Sequence, residues 1–202
     1  MSSKLSANIS IDKVEQPVSE KKAKEAIKTI LQWIGENPDR EGLVDTPQRV
    51  VDSFKGYFAG YNEDPILVLK KTFTETSGYQ DIVLLKDINV YSHCEHHMAP
   101  ITGVAHIAYY PNDKVVGISK LARVVEIYSK RLQIQERLTA EIANAVNFAL
   151  KPRGVAVQIE ASHSCINNRG IKQRNATMKT HTLLGCFRND PEISRRFFQL
   201  IG

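Results

Sequence analysis

The chain has 202 residues, a formal net charge of +5, 42 % hydrophobic and 24 % charged residues, and three cysteines. That balance fits one globular domain and excludes a low-complexity or collagen-like chain. No apolar run approaches the about 18 residues of a membrane span and the N-terminus has no signal-peptide core. The odd number of cysteines argues against a disulfide framework, so a cytoplasmic protein without a membrane partner is expected.

Residues 1–18 are polar and aperiodic, which predicts a flexible N-terminal segment. A helical region follows over 19–62. Ala23, Ala26, Ile27, Ile30, Leu31 and Ile34 recur at helical spacing and stop at Gly35. After the turn Asn37-Pro38-Asp39, Thr46 as N-cap and Pro47 in the first turn predict a second helix to about Ala59. The core is expected over 63–202, the whole forming a single domain. Strands are predicted at 66–74, 81–91, 102–110 and, after Pro111-Asn112-Asp113, at 114–118.

Two helices are expected next. One is capped by Ser119 and carries Leu121, Val124, Val125 and Tyr128; the other covers about 133–150 and ends before Pro152. Strands at 154–163 and about 176–187, then a helix opened by Pro191, complete the chain. The order implies an α+β fold with a mostly antiparallel sheet, paired helices on one face and an N-terminal helical extension.

Chemistry concentrates in Ser92-His93-Cys94-Glu95-His96-His97. A thiol beside imidazoles suits Zn2+, and a Cys-x-x-His pair closes on one ion if the backbone turns there. If the strand at 154–163 continues, His163 and Cys165 fall on one face and Cys165 becomes the third ligand with Cys94 and His97. Three protein ligands leave a position for water, as in catalytic zinc sites. His96 and His163 would then be spare imidazoles for proton transfer. His106 and His181 are expected as satisfied strand residues, Cys186 as a small buried hydrophobe.

Helix N-termini favour acids. Lys120 and Arg123 follow Ser119, however, and Arg49 follows Thr46, while Arg169-Gly170 lies just past Cys165. Cations at free helix amides make anion sites. Gln135-Glu136 opens the next helix. A carboxylate there is ordinary helix chemistry, and could equally accept a paired N–H edge such as guanine presents.

The ordered set Cys94-Glu95-His96-His97, Gly117-Ile118-Ser119-Lys120-Leu121-Ala122-Arg123, Gln133-Ile134-Gln135-Glu136-Arg137-Leu138-Thr139 and His163-Ser164-Cys165 with Arg169-Gly170 resembles GTP cyclohydrolase I over about 20 to 200. The resemblance implies a tunnelling fold whose subunits assemble as a homodecamer. It implies conversion of GTP to 7,8-dihydroneopterin triphosphate with loss of formate, the entry step to folate and pterin cofactors. It also implies Zn2+ on Cys94, His97 and Cys165, proton handling by His96 and His163, and guanine recognition by Glu136 with Gln135. Ser119, Lys120, Arg123, Arg169 and Arg49 would hold the triphosphate, some of them from a neighbouring subunit. The sequence departs from the family's usual pattern at Ile166, Ala176 and Met178. Two other readings share parts of this pattern. One is a paralogue that stops at ring opening; the other is a basic nucleic-acid-binding protein with a structural zinc closed by His93 or His163. The resemblance implies no nucleic-acid partner.

Overall fold

The computed structural model describes residues 18–74 and 78–202, so the flexible segment expected at 1–18 lies outside the described residues except for Val18. Two compact units divide between Ala59 and Gly60. In the first, α1 (Glu20–Trp33) is capped by Ser19, whose Oγ accepts from the Lys22 amide. α2 (Thr46–Tyr57) starts one residue earlier than expected: Asp45 is the N-cap, without a side-chain cap bond, and Thr46 is already helical. Lys24 donates to Gln48 and Lys55 pairs with Glu20, tying the two helices together.

In the second unit the expected strand at 66–74 is replaced by α3 (Pro65–Leu69) and a two-residue β1 (Thr72–Phe73). The reason is local. The Asp64 carboxylate accepts from the amides of Ile66 and Leu67, and Pro65 supplies a first-turn φ, so the apolar run is wound up at its start. β2 (Val83–Cys94) and β3 (Pro100–Tyr110) form a hairpin, and β4 (Val115–Val116) pairs with β1. Then come α4 (Ile118–Ser129), β5 (Leu132–Gln133), α5 (Gln135–Leu150) and β6 (Gly154–His163). The chain ends with α6 (Ser164–Asn167), β7 (Met178–Gly185), α7 (Cys186–Asn189) and α8 (Pro191–Ile201).

The main sheet has the order β5-β2-β3-β6-β7, antiparallel throughout except that β5 runs parallel to β2. One face of it buries Ala105, Ile107, Val155, Val157 and Ile159 against Leu121, Val124 and Val125 of α4 and Leu138, Ile142 and Val146 of α5. Burial of such side chains is worth about 1.5–3 kcal/mol each before entropy is charged. On the opposite face Ala108 and Ala156 pack with Phe187 and Phe197. That junction depends on Gly185, whose φ is +58 and where a Cβ would lie 2.2 Å from the Arg153 carbonyl oxygen. No helix among the described residues is long and apolar enough to cross a membrane.

Candidate metal centre

Cys94 ends β2, where its amide donates to the Ala99 carbonyl at 2.8 Å. The chain then reverses. The Met98 amide donates to the Cys94 carbonyl at 2.7 Å, with Met98 at φ +52. A left-handed methionine costs on the order of 1 kcal/mol and persists because the surrounding bonds hold it. The reversal puts His97 back over Cys94. From the other side β6 stops at His163 and does not continue as expected, so Cys165 lies in the single turn of α6. The Cys94 thiol, a ring nitrogen of His97 and the Cys165 thiol all lie within 4.8 Å of one another, from a buried, an exposed and a half-buried residue respectively.

Sulfur at about 2.3 Å and nitrogen at about 2.0 Å around one tetrahedral centre lie about 3.5–3.8 Å apart, so donor atoms gathered within 4.8 Å could close on one zinc-sized ion by small side-chain shifts. Burial, followed by the neighbouring Cys94 thiol, pushes the Cys165 thiol up; a bound cation reverses that penalty by favouring thiolate. His96 is exposed, with Nδ1 3.8 Å from the Cys94 sulfur.

His163 is held by a saturated amide. The Gln135 side-chain NH2 donates to the carbonyls of Ile159 (3.1 Å) and Met178 (2.9 Å) and to Thr180 Oγ1 (3.1 Å). Its Oε1 is therefore the atom 2.7 Å from His163 Nε2, and Nε2 must carry the proton. Thr139 completes the cluster, donating to the Gln135 carbonyl and lying 2.6 Å from Thr180 Oγ1. Burial lowers the His163 pKa, and the Glu136 carboxylate offsets part of that. Gln135 is 1 % exposed, whereas Glu136 is exposed in the first turn of α5.

The expected anion residues are spread more widely. α4 begins at Ile118 with Gly117 as N-cap, so Ser119 is not the cap but sits in the first turn beside Lys120. Arg123 lies 3.5 Å from Glu126, which Lys130 also holds at 2.7 Å. Arg169 is exposed and close enough to Cys165 to lower the thiol pKa slightly. Arg49 belongs to the first unit, exposed and 3.1 Å from Asp45.

His106 is buried in β3, its Nδ1 accepting from the Asp87 amide. His181 is exposed on β7 against the Phe198 ring. Cys186 is half-buried beside the second apolar cluster.

Sequence reasoning passed over Arg137 and Gln133. Gln133 hydrogen-bonds Arg137, which pairs with Glu95 inside the metal turn. The available signal was a four-residue Gln–Arg spacing with the arginine in an acid-favouring first turn.

A family model described as GTP cyclohydrolase I matches residues 23–202. A protein named GTP cyclohydrolase 1 from Pelagibacter ubique is 57 % identical over 185 residues, 92 % of each chain. Proteins of the same name from Maricaulis maris and Sinorhizobium fredii are 52 % and 54 % identical, each over 91 % of this chain and 89 % of theirs.

Proposed function

This chain belongs to the GTP cyclohydrolase I family and acts as a GTP cyclohydrolase, and from that premise we propose the chemistry of its site. GTP is opened at the imidazole ring, formate leaves, and the product recloses as 7,8-dihydroneopterin triphosphate, the entry step to folate and pterin biosynthesis. The observation that carries this reading is the convergence of Cys94, His97 and Cys165 donor atoms from separate stretches of chain.

Those three residues would hold Zn2+. When bound, zinc supplies a Lewis acid that activates water near neutral pH. The remaining work falls to side chains. With Nε2–H committed to Gln135, Nδ1 of His163 is the atom that takes up a proton from solvent, forming the imidazolium, and then passes it to purine N7, which makes C8 electrophilic. His96, exposed beside the Cys94 sulfur, relays protons to solvent. Glu136 accepts the N1–H and amino group of guanine. The Gln135 amide is already engaged, so its contribution to base recognition passes through the His163 ring that it orients. Ser119, Lys120, Arg123 and Arg169, some of them from a neighbouring subunit, hold the triphosphate and fix the base in place, an entropic contribution to rate.

The family and an open sheet edge support a homo-oligomeric assembly. Among the described residues, β7 has no strand on its outer side, and an open edge is a template for another chain. We assign a tunnelling fold, a homodecamer and no nucleic-acid partner. Three free thiols support a reducing, cytoplasmic setting.

The test is to incubate the metal-loaded protein with GTP, measure formate and determine the product by mass. Dihydroneopterin triphosphate is expected. A formamidopyrimidine or ring-opened triamine as sole product overturns the reclosure step and favours the ring-opening paralogue.

A further inference from the structure

Resting on the zinc reading above, we propose that Arg137 and Glu95 form a positioning pair that sets the metal-binding turn. Neither residue supplies a metal ligand. Glu95 lies between the first two ligands, Cys94 and His97, in a turn whose outer residues His96, His97 and Met98 are all exposed. The bonds of Cys94 to Ala99 and Met98, with a longer one from the His97 amide to the Cys94 carbonyl at 3.4 Å, close the base of that turn. Glu95 supplies the second anchor. Its amide donates to the Gln133 carbonyl at 3.0 Å and its carboxylate Oε2 accepts from the Arg137 guanidinium.

The guanidinium is itself held. Nε donates to Gln133 Oε1 at 3.1 Å, and the terminal nitrogen that meets Glu95 also donates to the Leu132 carbonyl at 3.0 Å. Gln133 is 1 % exposed. Its NH2 donates to the Tyr128 carbonyl (3.1 Å) and to the buried Glu141 carboxylate (2.8 Å), which leaves Oε1 no orientation but towards Arg137. A chain of single-valued bonds thus runs from Glu141 through Gln133 and Arg137 to the residue beside Cys94. Each link fixes the donor or acceptor sense of the next.

An isolated surface ion pair contributes little because both side chains stay free to leave it. Here the arginine meets three acceptors at once, and both partners are about two-thirds covered, with side-chain exposures of 36 % and 32 %. The planar fork is what the geometry uses, so a lysine ammonium cannot replace it. The carboxylate also touches the proton-relay side: its other oxygen, Oε1, lies 3.9 Å from His96 Nε2. Arg137 thus reaches the ligand pair through the Glu95 carboxylate and, by its bonds to Leu132 and Gln133, steadies the strand β5 that lies beside His93 and Cys94.

The test compares zinc affinity, by competition with a chromogenic chelator, in the wild type and in Arg137→Met, Arg137→Lys, Glu95→Gln and the double variant Glu95→Gln/Arg137→Met. Partners of this outer kind are worth about 10–100-fold in metal affinity. Arg137→Met should weaken zinc binding by that factor, and Arg137→Lys should recover little of it. The double variant should be no weaker than Arg137→Met alone, because the two residues act in series. The Co2+-substituted protein should show shifted ligand-field bands in Arg137→Met, a readout that a change in global stability would not move. Zinc affinity within twofold of wild type in folded Arg137→Met, or fully additive losses in the double variant, overturns the proposal.

Should Arg137→Met fail to fold, Glu95→Gln carries the same test. It keeps the backbone bond to Gln133 and lacks the charge; an unchanged zinc affinity and Co2+ spectrum in that variant overturn the pair. A wild type that binds no zinc, or a Cys165→Ala variant that still binds it, sinks the ligand assignment instead. In that case, hydrogen exchange at the amides of residues 95–98 in the metal-free protein still decides whether Arg137 holds the turn. Exchange about tenfold faster in Arg137→Met supports the pair, and unchanged exchange overturns it.

Discussion

At one end of β6, Gly154 lies in register with Gly185, beneath the cluster that contains Phe187 and Phe197. At the other end, His163 meets Gln135, and Cys165 in the next turn approaches Cys94 and His97. The same strand is therefore anchored twice by different physics. The Phe197 end is held by contact area, which is non-directional and tolerates swaps that conserve volume. The Cys165 end is held by bonds with a fixed donor and acceptor, where a single missing atom leaves a neighbour unsatisfied. Apolar packing and directional bonding thus sit at opposite ends of one element.

That separation can be broken by mutation, and the largest effect should come at the metal. Cys165→Ala removes a ligand, so metal content by elemental analysis should fall to background. Formate release should drop by more than the about 100-fold that loss of an outer partner brings. Global stability of the metal-free protein should stay near wild type; full turnover in this variant would end the ligand assignment. Phe197→Ala should do the reverse. A fully buried phenylalanine exchanged for alanine costs about 3–5 kcal/mol in urea unfolding. Zinc per folded chain should be unchanged well below the melting temperature, and loss of zinc there would show that the two ends are coupled.

Glu136→Gln sharpens the comparison by dividing ligand-holding from substrate-holding at the same end. Glu136 is exposed and takes no part in the metal set. Loss of a charge-assisted contact worth about 1.5–3 kcal/mol should raise the KM for GTP by about tenfold or more while zinc content stays constant. A variant with normal KM would remove Glu136 from guanine recognition.

The smallest effect lies between the two ends, at His106. Burial lowers its pKa from 6.5, outweighing the attraction of Asp87 and Glu160, while Lys86 and Lys179 add to the lowering. The unfolded chain then binds the proton more readily than the folded one. Stability is full above about pH 6.5 and declines as pH falls through the window between the unfolded and the lowered folded value. Urea unfolding of wild type and His106→Gln at pH 7.5 and 5.5 should show a shallower decline in the variant; equal slopes would count against it.

Much of this was legible from residues alone. The alternation Val155, Val157, Ile159, Ala161 marks β6, and all four side chains are buried. The spacing of Leu138, Ile142, Val146 and Leu150 marks α5 in the same way. Periodicity works there because each element turns one side to a large common core. It failed at 66–69, where Ile-Leu-Val-Leu has no period and reads as strand, while the Asp64-Pro65 capping signal decided for helix.

Thr46 and Ser119 are good capping residues, yet both are already inside their helices. Side-chain preference gave way to the backbone direction set by Asp45 and Gly117. At the site, ligand chemistry and spacing singled out Cys94, His97 and Cys165, the residues whose donor atoms the fold gathers. Arg137 escaped notice because its role depends on β5 lying beside β2, a pairing between stretches far apart in the chain.

That short parallel pairing sets an order of events during folding. The local hairpin places Cys94, but Gln133 comes to lie beside it only after the chain has passed through α4 and returned along β5. Cys165 arrives later still, from beyond β6. Contacts so remote along the chain form slowly, after local helices and hairpins. A nascent chain therefore offers a passing ion no more than the Cys94–His97 pair, and the full three-armed clasp exists only once the sheet is assembled. Loading should accordingly lag behind the recovery of helical signal when denatured protein is returned to buffer with zinc present.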